Sequence, residues 1–91
     1  MSAIRLVVEG RVQGVGYRAF VADEAQARGL TGWVRNLRNG QVEMVLSGGE
    51  ADIEGMIAAC RKGPRFASVT SLKTSPAPDE TWSGFTVRPA A

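Results

Sequence analysis

The stretch GRVQGVGYR, residues 10–18, places three glycines, a glutamine and a terminal arginine between a strand-like run and a helix-like run. Before it, Ile4, Leu6 and Val8 alternate onto one face, which predicts a strand over residues 4–9. Glycines permit positive φ and close backbone approach, and loops of this composition at a helix start can surround an anion. From the residues alone, two interpretations stay open: a functional anion site or a tight strand-to-helix turn.

The run after this loop predicts a helix over residues 18–28, which ends at Gly29. Val21, Ala22 and Ala25 lie on one side of it. Arg18 falls at the helix start, where free N–H groups and the positive end of the helix dipole also lie. A cation is disfavoured there unless a nearby anion neutralises it, so this position favours an anion-binding role for Arg18.

An Asn-Gly pair at residues 39–40 separates two strand-like runs, residues 32–38 and 41–47. Such a pair predicts a hairpin with a tight turn, because Asn and Gly both tolerate positive φ. In the second strand Glu43 lies opposite three apolar residues, so we expect one buried face. Those apolar residues are Val42, Met44 and Leu46.

A second helix is predicted over residues 50–62, with acidic residues at its start and basic residues at its end. Four side chains form its apolar stripe: Ile53, Met56, Ile57 and Cys60. Gly63 and Pro64 end the helix. Two further strands are predicted over residues 67–74 and 83–88, around the loop SPAPDET at residues 75–81.

This order of elements predicts an α+β protein, a ferredoxin-like two-layer sandwich. We expect an antiparallel four- or five-stranded sheet with two helices on one face. The length of 91 residues suits one domain, residues 1–91.

Composition limits the chemistry that such a domain can perform. The start MSAIRLVVEG lacks the apolar core of a secretory signal, so we expect a cytoplasmic protein. No stretch is long and apolar enough to suggest a membrane span. The lone Cys60 excludes an internal disulfide, and the absence of histidine removes the usual metal ligands and the commonest general base. We therefore expect no metal or cofactor, and chemistry that depends on positioning, hydrogen bonds and arginine.

The charge is unevenly distributed along the chain. Residues 1–40 carry six arginines against three acidic residues, a net charge of +3, whereas residues 41–91 have a net charge of −1. This favours a small anion near the glycine-rich loop over nucleic acid, which normally needs a denser basic stripe. Arg11, Arg35 and Arg38 are interpreted as solvated charges. The loop matches neither a P-loop nor, lacking a third glycine, a dinucleotide fingerprint.

Two motifs together make the sequence similar to a known family. GRVQGVGYR, followed after a helix by GWVRNLRNGQVE at residues 32–43, resembles the acylphosphatase family. The resemblance covers essentially the whole chain. Tyr17 stands where the family often has Phe, and Asn39 where Asp often opens the turn.

The resemblance implies hydrolysis of acyl phosphates to a carboxylate and inorganic phosphate by direct attack of water. Arg18 would hold the phosphoryl group and Asn36 would position the water. Backbone N–H groups of Gln13, Gly14, Val15, Gly16 and Tyr17 would complete the cradle. The partners would be a small-molecule acyl phosphate and phosphate, without nucleic acid or membrane, and we expect a monomer.

Two other classes of function remain as alternatives to an enzyme. A non-catalytic phosphate-binding or regulatory module could use the same cradle. An RNA-binding sheet is the weaker alternative, because Trp33 is not accompanied by the set of aromatic residues that stacks bases on such sheets.

Overall fold

The computed structural model of the protein describes residues 2–78 and 82–91. Its elements are β1 (Ser2–Arg11), α1 (Tyr17–Ala27), β2 (Thr31–Asn36), β3 (Val42–Gly48), α2 (Glu50–Lys62), β4 (Ser68–Pro76) and β5 (Phe85–Val87). The predicted helices and strands are all present, and α2 has the predicted bounds. In the predicted loop at residues 75–81, the first two residues belong to β4, and residues 79–81 lie outside the described residues. Neither helix is long and apolar enough to span a membrane.

The five strands form one sheet in the order β4-β1-β3-β2-β5. All neighbours pair antiparallel except β5, which runs parallel to β2 and sets Val87 beside Val34. The prediction of an antiparallel sheet is therefore wrong for this edge. The direction of β5 depends on the strand that it pairs with, and the three residues of β5 give no sign that this partner is β2.

Both helices pack on the same face of the sheet, as predicted. The core between the two layers consists of fully buried side chains, among them Leu6, Val8, Val34, Val42, Met44 and Leu46 from the strands and Val21, Ala25, Met56 and Cys60 from the helices. Burying a large aliphatic side chain contributes about 1.5–3 kcal/mol. The apolar stripes read from the sequence thus account for the two-layer packing.

The predicted buried face of β3, with Val42, Met44 and Leu46, is confirmed, and the opposite face of this strand is covered as well. Glu43 on that face is only 5% exposed because it accepts hydrogen bonds from Arg5 and Arg35. Arg35 also stacks on Trp33, with its guanidinium carbon 4.8 Å from the ring centre. Arg35 is therefore a paired, half-buried residue and not the solvated charge predicted.

The hairpin between β2 and β3 is confirmed, but its turn differs from the expected one. The connection spans residues 37–41, closed by a hydrogen bond from Leu37 N to the Gln41 carbonyl at 2.8 Å. Gly40 has a φ of +92°, while none of the non-glycine residues described has a positive φ. Asn39 contributes instead through its side chain, whose oxygen accepts from Gln41 N at 3.0 Å.

Candidate active site

The glycine-rich loop leaves the end of β1 and turns directly into the N-terminus of α1. Gly14 and Gly16 adopt left-handed φ angles of +73° and +78°, a conformation that strains any other residue. Gly16 is the residue immediately before the helix. The two glycines are therefore required by the path of the backbone.

This helix start is rich in free hydrogen-bond donors. No side chain caps α1, and its first turn holds no acidic residue. Within the described residues, the N–H groups of residues 13–19 have no backbone acceptor, the first such bond being Phe20 N to Gly16 O at 3.0 Å. Unpaired N–H groups and the positive end of the helix dipole together favour an anion at this point.

Arg18, the second residue of α1, lies beside these donors and is half-buried. It lines a cavity of about 280 Å³ together with loop and helix residues and Val87 of β5. The loop and helix residues are Val12, Gly14, Gly16, Tyr17 and Ala19. Across the part of the chain that the structure describes, no carboxylate forms an ion pair with Arg18. A positive side chain at the positive end of a helix therefore faces a cavity.

Gln13 uses its side chain to hold the loop against the hairpin. Its amide nitrogen donates to the carbonyl oxygens of Leu37 and Gln41, both at 2.8 Å. Gln41 in turn donates through its own side-chain amide to the Glu9 carboxylate at the end of β1. Sequence reasoning missed this network, because each bond joins residues at least 24 positions apart.

Asn36 is the last residue of β2 and lies at the same end of the sheet as the loop. The strand register aligns Asn36 with Val42 on β3, and Val42 with Val8 on β1, three residues before β1 ends. The residue after Asn36, Leu37, is one of the two acceptors of Gln13. The side-chain oxygen of Asn36 is buried and has no hydrogen-bond partner among the described residues. The fold thus brings an unsatisfied acceptor to the loop end of the sheet.

The remaining loop side chains anchor the backbone. Tyr17 is 1% exposed, and its hydroxyl donates to the Cys60 carbonyl on α2 at 2.7 Å. Burial raises the pKa of Tyr17 well above its usual value, so the hydroxyl stays protonated. Val15 packs against the core. The predicted aromatic packing at residue 17 is confirmed.

Cys60 does not supply a nucleophile. It is fully buried in the core, and burial, the largest influence, raises the pKa of its thiol to about 12. A thiol in this state is unreactive near neutral pH. The predicted role of Cys60 as an apolar residue of α2 is confirmed.

A second, larger cavity of about 440 Å³ lies beside the hairpin tip. Its lining residues are Glu9, Gly10, Asn39, Gly40, Gln41 and Thr70. Glu9 is the one charged residue in this set and would repel a phosphate group. The cavity at Arg18 is therefore the better anion site, although it is smaller.

Known proteins resemble the chain in sequence and in structure. Residues 4–87 match the acylphosphatase family. Acylphosphatase 2 of Ralstonia nicotianae is 53% identical over 85 residues, covering 92% of this chain and 90% of the relative. An acylphosphatase of Azorhizobium caulinodans is 54% identical over 70 residues, covering 77% and 75%. The crystal structure of acylphosphatase from Bacillus subtilis superposes with a TM-score of 0.94 at 37% identity, covering 97% of this chain and 99% of that one.

Proposed function

Since this chain belongs to the acylphosphatase family and hydrolyses acyl phosphates to a carboxylate and inorganic phosphate, we propose that Arg18 and the loop backbone hold the phosphoryl group while Asn36 positions the attacking water. The backbone donors are the N–H groups of residues 13–17.

The observation that carries this proposal is the position of Arg18 at the N-terminus of α1, where the described residues provide neither an ion-pair partner for Arg18 nor a side-chain cap for the helix. Two sources of positive potential at one cavity repel each other unless an anion lies between them. A guanidinium can donate to two phosphoryl oxygens at once, and fixed N–H groups can contact the others. Because negative charge redistributes over the phosphoryl and leaving oxygens as the bond breaks, such preorganised donors stabilise the transition state.

The role of Asn36 is supported by its unsatisfied, buried side-chain oxygen. A buried acceptor without a partner costs about 1–3 kcal/mol, and a water molecule that donates to it removes that cost. A water that donates a hydrogen bond to Asn36 keeps its oxygen lone pairs free to attack phosphorus. An amide orients the nucleophile without acting as a strong base.

The reaction balances without a protein nucleophile. The water oxygen forms a bond to phosphorus, and the bond from phosphorus to the acyl oxygen breaks. The leaving carboxylate takes that electron pair. One water proton stays on the new phosphate hydroxyl and the other passes to a phosphoryl oxygen, giving dihydrogen phosphate. A carboxylate is a good leaving group, so positioning and charge stabilisation can suffice.

We further propose that residues 1–91 form a single domain that acts as a cytoplasmic monomer and does not bind nucleic acid. The modest net charge of +2 supports the last point, since nucleic-acid binding usually needs a strongly basic surface.

Replacing Arg18 tests the proposal directly. Arg18→Ala should lower kcat/KM for benzoyl phosphate by about 10³-fold or more and weaken inhibition by inorganic phosphate. The free energy of unfolding should rise by about 0.3–1 kcal/mol, because a cation leaves the positive end of the helix dipole. Arg11→Ala, at an exposed position of β1, is the matched control for charge. Undiminished turnover by Arg18→Ala would overturn the assignment.

A further inference from the structure

We propose that Val87 forms an apolar wall against which the acyl group of the substrate rests, so that the enzyme prefers acyl phosphates with an apolar acyl group. This inference rests on the proposed function, because it requires that the phosphoryl group occupy the cavity beside Arg18.

Val87 is exposed at a position where the sheet would normally bury it. The parallel register places Val87 beside Val34, which is fully buried under the helices, so both residues face the helix side. Phe85, two residues earlier on the same face, is only 8% exposed, whereas Val87 is 48% exposed. The apolar face of β5 is therefore covered at one end and open at the other.

The open end of β5 borders the cavity that holds Arg18. Val87 lines this cavity from the sheet edge, and Ala19 adds a second small apolar surface. The cation and the free N–H groups lie on the loop and helix side. The cavity lining thus combines a cation and free N–H groups with apolar side chains.

The substrate has the same division of chemistry. Its phosphoryl end is charged, and its acyl end carries whatever carbon skeleton the carboxylic acid has. The apolar wall can remove an aromatic or aliphatic acyl group from water but offers no partner to a charged one.

The ratio of kcat/KM for benzoyl phosphate to that for acetyl phosphate tests this inference. The methyl group of acetyl phosphate is too small to cover the wall, so the ratio isolates contacts made beyond the carbonyl. Val87→Ala should lower the ratio about threefold to tenfold, as expected for partial loss of an apolar contact at an open site. Val87→Thr keeps the shape and strand propensity of valine but places a hydroxyl on the wall, and it should lower the ratio as well.

Phe66→Ala is the matched control, because Phe66 is a large hydrophobic residue, 69% exposed, that does not line the cavity. It should leave the ratio unchanged. The inhibition constant of inorganic phosphate should stay within twofold in the Val87 variants, since phosphate does not reach the wall. A rise in that constant in step with the loss of turnover would show that Val87 supports the cradle instead, and would overturn the inference.

The remaining outcomes separate the two proposals. If the unmodified protein hydrolyses both substrates but the Val87 variants keep its ratio, the acyl wall is wrong while the phosphoryl site stands. If the protein hydrolyses neither substrate, both proposals are wrong.

Discussion

Asn36 combines a cost in stability with a proposed role in catalysis. Its buried, unpaired oxygen is unfavourable in the folded protein unless a ligand or water satisfies it. Residues that bind a ligand transiently often lower the stability of the free protein in this way. An activity loss and a stability gain from the same substitution would therefore identify a functional residue.

Asn36→Ala should lower kcat for benzoyl phosphate by about 10²- to 10³-fold, the loss seen when a preorganised hydrogen-bonding group is removed. The inhibition constant of inorganic phosphate should change little, because the proposed phosphate ligands are Arg18 and the loop backbone and not Asn36. The free energy of unfolding, measured with urea, should stay the same or rise by about 1 kcal/mol.

Asn36→Asp serves as the companion variant. It keeps the shape of the side chain but places a negative charge beside the bound anion, so it should weaken phosphate inhibition as well as turnover. A collapse of phosphate affinity in Asn36→Ala would contradict the water-positioning role.

Single residues differ in how far sequence reasoning could reach them. The left-handed conformation of Gly16 and the place of Arg18 at the start of α1 could be predicted, because both depend on local sequence signals. Arg35 was misjudged because its partners, Glu43 and Trp33, are set by strand register and ring stacking. The place of Val87 in the cavity lining could not be predicted either, since no local signal shows which strand β5 joins.

At the level of elements, Gln13 joins the loop to the hairpin. One side-chain nitrogen donates to two carbonyl groups on either side of the turn, so the phosphate loop and the strand that carries Asn36 share a single clamp. The relative position of the two halves of the site depends on it.

Gln13→Met removes both hydrogen bonds while keeping the length of the side chain. We expect the free energy of unfolding to fall by about 1–2 kcal/mol and kcat for benzoyl phosphate to fall about tenfold, because misplacement of reacting groups lowers the rate. Gln26→Met, at an exposed position of α1, controls for the substitution itself. Equal kcat in the Gln13 and Gln26 variants would show that the clamp is structural only.

Elements with strong local signals matched their predictions most closely. The second helix has acids at its start, bases at its end and a Gly-Pro pair after it, and residues 50–62 form α2 without any shift in bounds. The direction of β5 was mispredicted because it depends on which edge of the sheet remains open once the four other strands have paired.

Across the whole molecule, helices cover one face of the sheet, and charged and aromatic side chains cover the other. Glu43 accepts hydrogen bonds from Arg5 and Arg35. The Trp33 ring contacts Arg35 and Arg88, whose guanidinium carbons are 4.8 Å and 4.6 Å from its centre. These contacts join β1, β2 and β3 with Arg88, the residue that follows β5. They cover the second face of β3, where no further helix or strand packs among the described residues.

Because of this pairing, the stability of the protein depends on pH in the acidic range. Burial alone would raise the pKa of Glu43, but hydrogen bonds from Arg35 and Arg5 outweigh it and hold the pKa below its ordinary 4.5. As the pH falls, the unfolded chain therefore takes up the proton first. The contribution of Glu43 is fully present above about pH 4.5 and is lost as the pH falls through the folded-state pKa.

Glu43→Gln should lower the free energy of unfolding at pH 7 by about 1–2 kcal/mol, a modest loss because both arginines remain partly solvated. The difference from the unmodified protein should shrink below about pH 4.5. Urea titrations from pH 7 to pH 3 measure both effects. Glu54→Gln, exposed on α2, removes the same charge without touching an arginine pair. A constant difference across this range would contradict the assigned pairing.

The three-residue strand β5 forms the edge of the sheet beside the cavity. It pairs only with β2, so fraying it costs less free energy than separating the longer strands. Because Val87 belongs to β5, a ligand that contacts Val87 stabilises the paired state of this strand by mass action. Ligand binding in the cavity and pairing of β5 with β2 are then linked equilibria. The hydrogen-exchange rate of the Arg88 amide, which donates to Val34 O at 2.8 Å, reports on both.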